Sequence, residues 1–419
     1  MGYIIPVLRE KFKTSKIIVL HIENFPLPDG CLQSEISALC STETIEIQKF
    51  LETQILNISM ENIHIIEWRP SLNFYKDTYV KLLSLVVDFI KRTDAGNRTT
   101  AAFGRRWIKN FFKNIKNIKQ ALLYRQTDLP VIVTGSGTSL EQAMPVIRNV
   151  QENHIIIAAS SSVLALSAGG IKADIIIAAD GGNWALRHIY AARRLLTTAF
   201  GVNLCAALPS QCADTPQLII NDGSFWQSIA LHELALPSVI IQQRGTVTAA
   251  SLELAMILSS GNIYLAGMDF SVNDIRTHTK PYAFDSLFFE HSNRFNPFYS
   301  ELFFRSSLIK KGGSMDIYAA WFKEQLLMWP KRIYSIGEHK IFESSLPRKF
   351  TINKKEREFL KPVHAGKNPA LGTDALLNAI NDSTYTNTVV NELTQLLFPD
   401  KKEVTKQELE TAVREVSYG

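Results

Sequence analysis

The sequence predicts an α/β protein: a Rossmann-like, mostly parallel sheet with helices on both faces, a small α/β domain before it and a helical region after it. Three observations carry this prediction. Short apolar, largely β-branched runs at 131–133, 155–158, 175–179, 202–207, 218–220, 239–241 and 263–266 read as buried strands. Helical segments at 144–152, 162–168, 183–196, 226–234 and 247–259 separate most of them, and that alternation is the pattern of a parallel sheet covered on both sides. Finally, 419 residues with 46% hydrophobic and 20% charged content can bury two or three cores and do not describe a disordered chain.

In chain order, residues 16–68 place strand-like runs (17–21 and 63–67) around a helical stretch near 34–56, a small α/β unit. Residues 75–91 look helical, with Val80, Leu83, Leu85, Val87 and Ile90 giving a mostly apolar surface. The polar stretch 94–100 contains Gly96 and reads as a linker. Domain boundaries of 1–100, 101–345 and 346–419 follow. Residues 103–123 form an amphipathic helix in which Trp107, Phe111, Ile115, Ile118 and Leu122 share a face. Arg105, Arg106, Lys109, Lys113, Lys116 and Lys119 supply its remaining surface, with no acidic residue between Asp94 and Asp128. That face suits a solvated helix packed on the sheet, or a surface for an anionic donor or protein acceptor. Beyond 280 the text is aromatic and irregular (282–299), then helical (315–328), with one more strand at 332–336. A sparse, mostly polar helical tail occupies 372–416. It is compatible with acceptor docking, with self-association into an oligomer, or with a solvated appendage.

The bulk numbers exclude several classes. A net charge of +5 is well short of a nucleic-acid coat but suits an anionic ligand. Cys31, Cys40, Cys205 and Cys212 form no C-x-x-C pair and no zinc spacing, the signature of buried thiols in a reducing compartment. The apolar stretch 155–179 is interrupted by Ser160–Ser162, two glycines, Lys172 and Asp174, so no membrane span is expected. Without a charged region followed by a long apolar one at the start, a cytoplasmic location is expected.

Ligands of such sheets sit beyond the carboxyl ends of the strands, which selects the residues to weigh. The strand ending at Thr134 runs into Gly135, Ser136, Gly137, Thr138, Ser139 and Leu140, followed by a helix expected to start near Met144 because Pro145 favours a first turn. Two glycines allow close approach to backbone N–H groups, three hydroxyls add donors, and a helix start favours negative charge. The loop is no Walker A, since no Gly-Lys-Ser/Thr follows, and a poor dinucleotide fingerprint, since Leu140 stands at the third glycine. A phosphate cradle or a tight turn remains. Ser160, Ser161 and Ser162 end the next strand, and Asp180, Gly181, Gly182 and Asn183 the one after. Arg244 and Thr246 precede a helix, and Asp269 ends the last strand with His278 nine residues on. Asp180 and Asp269 equally suit caps or loop anchors, Arg244 a structural ion pair, and His278 an ordinary loop position. Their common sheet edge is the stronger signal.

Gly135-x-Gly137-x-Ser139-Leu140, then Gly170-Ile171-Lys172-Ala173-Asp174 with Asp180 after the strand, then Gly267-Met268-Asp269, resembles the motility-associated factor (Maf) glycosyltransferases. The family also includes pterin diphosphokinases of the MptE type. Thr138 and Ala173 stand where the family has prolines. Trp107-x-x-Asn110 with Asn114 and Asn117, and Tyr318-x-x-Trp321-Phe322, extend the likeness over roughly residues 15–345. The resemblance implies a sialyltransferase-like domain that moves a nonulosonic acid from a CMP-activated donor to Ser or Thr of flagellin, with no metal required although paired carboxylates suit Mg²⁺. In that picture Gly135, Ser136, Gly137, Thr138 and Ser139 bind the CMP phosphate. Ser160, Ser161, Asp180, Gly181, Asn183 and Thr246 help hold nucleotide or sugar, and Arg244 pairs with a carboxylate or phosphate. His278 is the expected general base, with Asp269 as competitor and Asp180 in a supporting role. The alternatives are a non-catalytic flagellin-binding or export-assisting protein, and a kinase in which Asp180 and Asp269 bind Mg²⁺ with ATP as donor.

Overall fold

The computed structural model describes residues 4–23, 36–55, 63–193, 199–242, 245–312, 314–326, 329–351, 358–364, 369–382, 386–401 and 403–418. They divide into two compact units, Met1–Ala102 and Phe103–Gly419.

In the first unit, α1 (Ile4–Lys11) precedes β1 (Ile17–His21), β2 (Ile36–Cys40), α2 (Thr44–Ile55), α3 (Arg69–Phe74) and the start of α4 (Lys76–Asn117). β1 and β2 pair in parallel from Ile17↔Ile36. Ile47, Leu51 and Ile55 recur on one face of α2 and pack with Ile18, Leu20 and Leu39 of the strands. The sequence reading differs in three places. Residues 36–40, expected to be helical, form β2, and the helix begins later, after Ser41 accepts the Glu43 N–H and bonds Glu46. Residues 63–67 run without ladder pairing to any described residue. The expected linker at 94–100 lies inside α4. One glycine costs a helix only about 1 kcal/mol, and here Arg98 pairs with Asp94 one turn back at 2.9 Å while Thr99 bonds the Ala95 carbonyl.

The second unit is built on a 10-stranded sheet. Its strands are β3 (Gln120–Tyr124), β4 (Val131–Thr134), β5 (Ile155–Ala159), β6 (Ile175–Ala178), β7 (Ala199–Asn203), β8 (Gln217–Asn221), β9 (Ser238–Ile240), β10 (Ile263–Ala266), β11 (Ile333–Ser335) and β12 (Leu360–His364). The order is β11-β10-β4-β5-β6-β7-β8-β3-β12, with β9 also on β8, and every pairing but β12–β3 is parallel. The expected mostly parallel sheet with helices on both faces is therefore the observed one. Alternation explains its burial. Ile132, Ile156, Ile176, Phe200 and Val202 face one core with Phe111, Phe112 and Ile115 of α4. Val131, Val133, Ile155, Ile157, Ile175 and Ile177 face the other, with Leu252, Leu254 and Leu258 of a later helix.

The connecting helices are α5 (Leu140–Val150), α6 (Val163–Ala168), α7 (Ala185–Arg193), α8 (Phe225–Glu233) and α9 (Val247–Leu258). α5 starts four residues before the expected Met144, and Pro145 sits inside it, giving up one backbone bond. The helix expected over 103–123 ends at Asn117, and Leu122 belongs to β3, because apolar residues continue past the helix with no period to mark the change. The aromatic stretch expected to be irregular contains α10 (Asp285–Glu290) and leads into α11 (Phe298–Gly312), followed by α12 (Ser314–Leu326).

The tail differs most from its sequence reading. β12 pairs with β3, and α13 (Pro369–Asn381), α14 (Thr386–Leu397) and α15 (Lys406–Tyr418) bury Leu376, Ile380, Val389, Leu393, Leu409 and Val413 in the core shared with α4 and α8. Glu392 of α14 accepts the Phe225 and Trp226 N–H groups that open α8, at 3.1 and 3.0 Å. The tail also takes up part of the basic face of α4: Arg105 pairs with Glu415 at 2.9 Å and Lys116 donates to the Ser417 carbonyl. It is not a solvated appendage but a packed part of the second unit. Of the cysteines, Cys205 and Cys212 are buried, Cys40 is exposed, and Cys31 lies outside the described residues. Among the described residues no helix is long and apolar enough to cross a membrane.

Candidate functional site

β4 and β10 are neighbours, but the chain leaves them in opposite directions, to β5 on one side and β11 on the other. That is the switch point of an open parallel sheet, where the loops after the two strands diverge and leave a crevice. The loop 135–140 follows β4 and the loop from Gly267 follows β10.

These loops are stitched together. The Gly135 N–H donates to the Ala266 carbonyl and the Gly137 N–H to the Gly267 carbonyl, each at 2.8 Å. A Cβ on Gly135 would lie 2.4 Å from the Gly267 oxygen, and Gly267 itself has φ +68°, so both positions need glycine. Asp269 then reaches into the start of α5. Its Oδ2 accepts the Ser139 N–H at 2.9 Å and the Thr138 hydroxyl at 3.1 Å, and its Oδ1 accepts the Ser139 hydroxyl. A carboxylate thus occupies a helix start suited to an anion. The residue after it, Phe270, is held at φ +48° and packs against Phe322 and His339. His339 fixes the turn further by bonding the Met268 carbonyl through Nε2 at 2.9 Å.

One step along the sheet edge the groups are less engaged. The Ser161 hydroxyl donates to the Ser136 hydroxyl at 3.0 Å, joining the ends of β4 and β5. Ser162 bonds Thr134 and the Ala159 carbonyl, and Ser160 lies buried beside it. The Ser136 carbonyl accepts the Thr279 N–H at 2.8 Å, which brings the segment 276–284 over the crevice. Glu141 of α5 holds that segment, receiving Arg276 at 3.0 and 3.2 Å and the Lys280 N–H at 3.1 Å. His278 stacks on Tyr282 with ring centroids 4.1 Å apart, and His188 of α7 lies 5.3 Å from the same ring. Burial, reinforced by His188, Arg305 and Lys280, pushes His278 down to about 3. Burial lowers His188 to about 4, against the pull of Asp180. Both imidazoles are neutral over the physiological range, and burial raises the Tyr282 phenol. The His188 Nδ1 and the hydroxyl of fully buried Thr279 have no hydrogen-bond partner among the described residues. Such atoms cost about 1–3 kcal/mol each when left unmatched.

Residues 105–274 match the family model described as 6-hydroxymethylpterin diphosphokinase MptE-like. That segment, 105–274, is similar to the MptE-like family. The family likeness read from the loop motifs is thereby borne out for this segment, and the fold agrees. The structure of the Maf glycosyltransferase from Magnetospirillum magneticum AMB-1 superposes on all of this chain and 72% of that one, with a TM-score of 0.55 at 13% identity. An uncharacterized protein of Treponema pallidum (strain Nichols) is 26% identical over 279 residues, 66% of this chain. The chain spans 60% of the length of that relative.

Within the second unit the residues singled out from sequence fall into distinct places. Gly135, Gly137, Thr138, Ser139 and Asp269 form the stitched switch point, and Ser136, Ser160 and Ser161 line the adjoining edge. Asp180 is exposed after β6 and turns back to accept the Gly182 N–H at 2.7 Å. Gly181 packs against Trp107 and the Cys205 carbonyl, which a Cβ would approach to 2.4 and 2.9 Å. Asn183 is exposed. Thr246 caps α9, its hydroxyl accepting the Ala249 N–H at 3.1 Å. Arg244 lies outside the described residues. The Trp107-x-x-Asn110 motif is an anchor: Asn110 donates to the Cys205 and Gly181 carbonyls, and buried Asn114 to those of Leu204 and Ala206. Sequence reasoning missed His188, Thr279, Tyr282 and Arg305. An isolated His in a helix and an Arg among phenylalanines follow no motif, and only the segment folding back over the crevice gathers them.

Proposed function

We propose that this crevice binds a nucleotide-activated sugar and that the protein is a glycosyltransferase, moving a nonulosonic acid from its CMP-activated form to Ser or Thr of flagellin in the cytoplasm. The observation that carries the reading is the group of unmatched polar atoms and neutral imidazoles beside the switch point of an MptE-like sheet. Family likeness to Maf glycosyltransferases and the shared fold support it. The phosphate approaches the Ser136 and Ser161 side of the edge, where hydroxyl donors stabilise the charge that develops on departing CMP. Asp269, already accepting three hydrogen bonds, acts as the anchor of the loop. His278, neutral in the wall, is the proposed proton acceptor for the acceptor hydroxyl; burial makes it a weak base, and the negative charge of a bound donor beside it would raise its proton affinity. The acceptor oxygen bonds to the anomeric carbon as its proton passes to the imidazole, and the bond to the phosphate oxygen breaks with its electron pair leaving on CMP.

The description of the matching family favours a second reading, phosphoryl transfer from ATP to a pterin, with Asp180 as a metal-binding carboxylate. Calorimetric titration with CMP and, separately, with ATP and Mg²⁺ distinguishes the two. Binding of CMP alone supports the glycosyltransferase and leads to an assay with a CMP-nonulosonate and flagellin. Binding of Mg-ATP alone refutes it in favour of the kinase, and silence with both ligands leaves a flagellin-binding role.

A further inference from the structure

Arg305 lies on α11, outside every motif of the sequence and outside the segment matched by the family model. Its side chain is half-buried, with the guanidinium 4.5 Å from the Phe288 ring centroid, and its charge acts on both His278 and Tyr282. It makes no ion pair with any described residue. The other cations of this wall are engaged. Lys280 is bonded to Asp285, Arg276 is paired with Glu141, and Arg187 stacks over Trp184 and Phe284. An arginine taken partly out of water is expected to find a carboxylate or phosphate, because its fork of donors is otherwise left with water alone. Its charge reaches the neutral His278 imidazole and the Tyr282 phenol; Thr279, next to His278 in the chain, has a hydroxyl without a partner among the described residues, and Asp285 is already held by Lys280. Among the described residues the wall therefore offers one cation without an ion pair, while the switch-point loop one step away carries its own carboxylate, Asp269.

We infer that Arg305 is the anion-recognition residue of the crevice, binding a carboxylate on the sugar part of the ligand with Thr279 as second donor, and so selects carboxylated sugars over neutral ones. The inference rests on the nucleotide-sugar reading above. A planar guanidinium against a planar carboxylate satisfies two parallel hydrogen bonds, which a neutral sugar cannot supply. The aromatic ring of Phe288 beneath the guanidinium holds the fork in one plane, so little side-chain freedom is lost on binding.

The test compares two ligands on the full-length protein by calorimetry: CMP, which carries the phosphate alone, and CMP-N-acetylneuraminate, which adds a carboxylated sugar. Arg305→Gln should weaken the activated sugar about 10- to 100-fold and leave CMP unchanged, with Arg305→Lys in between. Equal weakening of both ligands in a variant with an unaltered thermal transition would put Arg305 on the phosphate and overturn the inference, as would no change in either. Should Arg305→Gln fold poorly, the same two-ligand comparison is made with Arg305→Lys, where equal affinities for both ligands relative to wild type also overturn it. A wild-type protein that binds neither ligand removes the nucleotide-sugar reading itself, and the inference with it. That outcome is distinguished from failure of Arg305 alone, in which wild-type binding persists.

Discussion

Two neighbouring stretches of the same sheet edge differ sharply. At the junction of the β4 and β10 loops almost every polar group is matched: glycine N–H groups meet strand-end carbonyls, and Asp269 takes up the Thr138 and Ser139 donors. On the adjoining wall formed by His188, Thr279, Tyr282 and Arg305, the His188 Nδ1 and the Thr279 hydroxyl have no match among the described residues. The first stretch carries the motif and the second carries none. A motif rich in glycine and hydroxyl residues can therefore be spent on holding two loops together, while the free chemistry collects where chain segments distant in sequence are folded against each other.

The comparison can be broken by substitutions on either side. The largest effect is expected at Gly135, where any side chain must push into the Gly267 backbone 2.4 Å away. Gly135→Val should cost more than about 4 kcal/mol, measured by urea unfolding, and a near-neutral result would show that the junction is not tightly packed. Asp269→Ala should cost about 2–3 kcal/mol, since it removes an acceptor of three donors at a helix start. If Asp269 is instead held for chemistry, stability will barely change while ligand turnover collapses. The same packing means that Gly137→Ala, whose Cβ would lie 2.7 Å from the Asp269 carboxyl carbon, must displace that anchor. Thr246→Ala should lose about 1 kcal/mol through the α9 cap, without any effect on ligand affinity if capping is its whole role.

On the unmatched wall the expected effect is one of pH. His278 and His188 are held far below 6.5 in the folded chain, so the unfolded chain binds more protons below that value. Stability from these two groups is present above pH about 6.5 and declines as the pH falls toward 4. The melting temperature should therefore drop across that interval, and His278→Phe should flatten the drop. An unchanged acid limb in the variant would mean that His278 is not the buried neutral group described.

Much of the architecture was readable in advance. The parallel sheet, the positions of β4, β5, β6, β8 and β10, and the helices between them follow from β-branched apolar runs alternating with helical periods, a purely local signal. The expectations that failed have two causes. Residues 36–40 and 120–124 became strands because ladder partners in space overrode a weak local preference, whereas 94–100 stayed helical because one glycine costs a helix little and pairs one turn apart support it. The polar tail was misread because its sparse apolar residues, such as Leu376, Leu393 and Val413, recur at helical spacing that looks unimportant until α8 and α4 supply the opposite face.

Sequence alone determined the class of fold, the loop that turns at the end of β4, and the edge of the sheet on which to look, because glycine conformation and apolar periodicity are properties of consecutive residues. Only the tertiary structure decided that Asp269 fills the start of α5, that the asparagines of α4 tie down the β6 and β7 loops, and that Arg305 and two histidines meet over the crevice. Those are matters of which polar group finds a partner, and partners distant in the chain are chosen by packing, not by spacing.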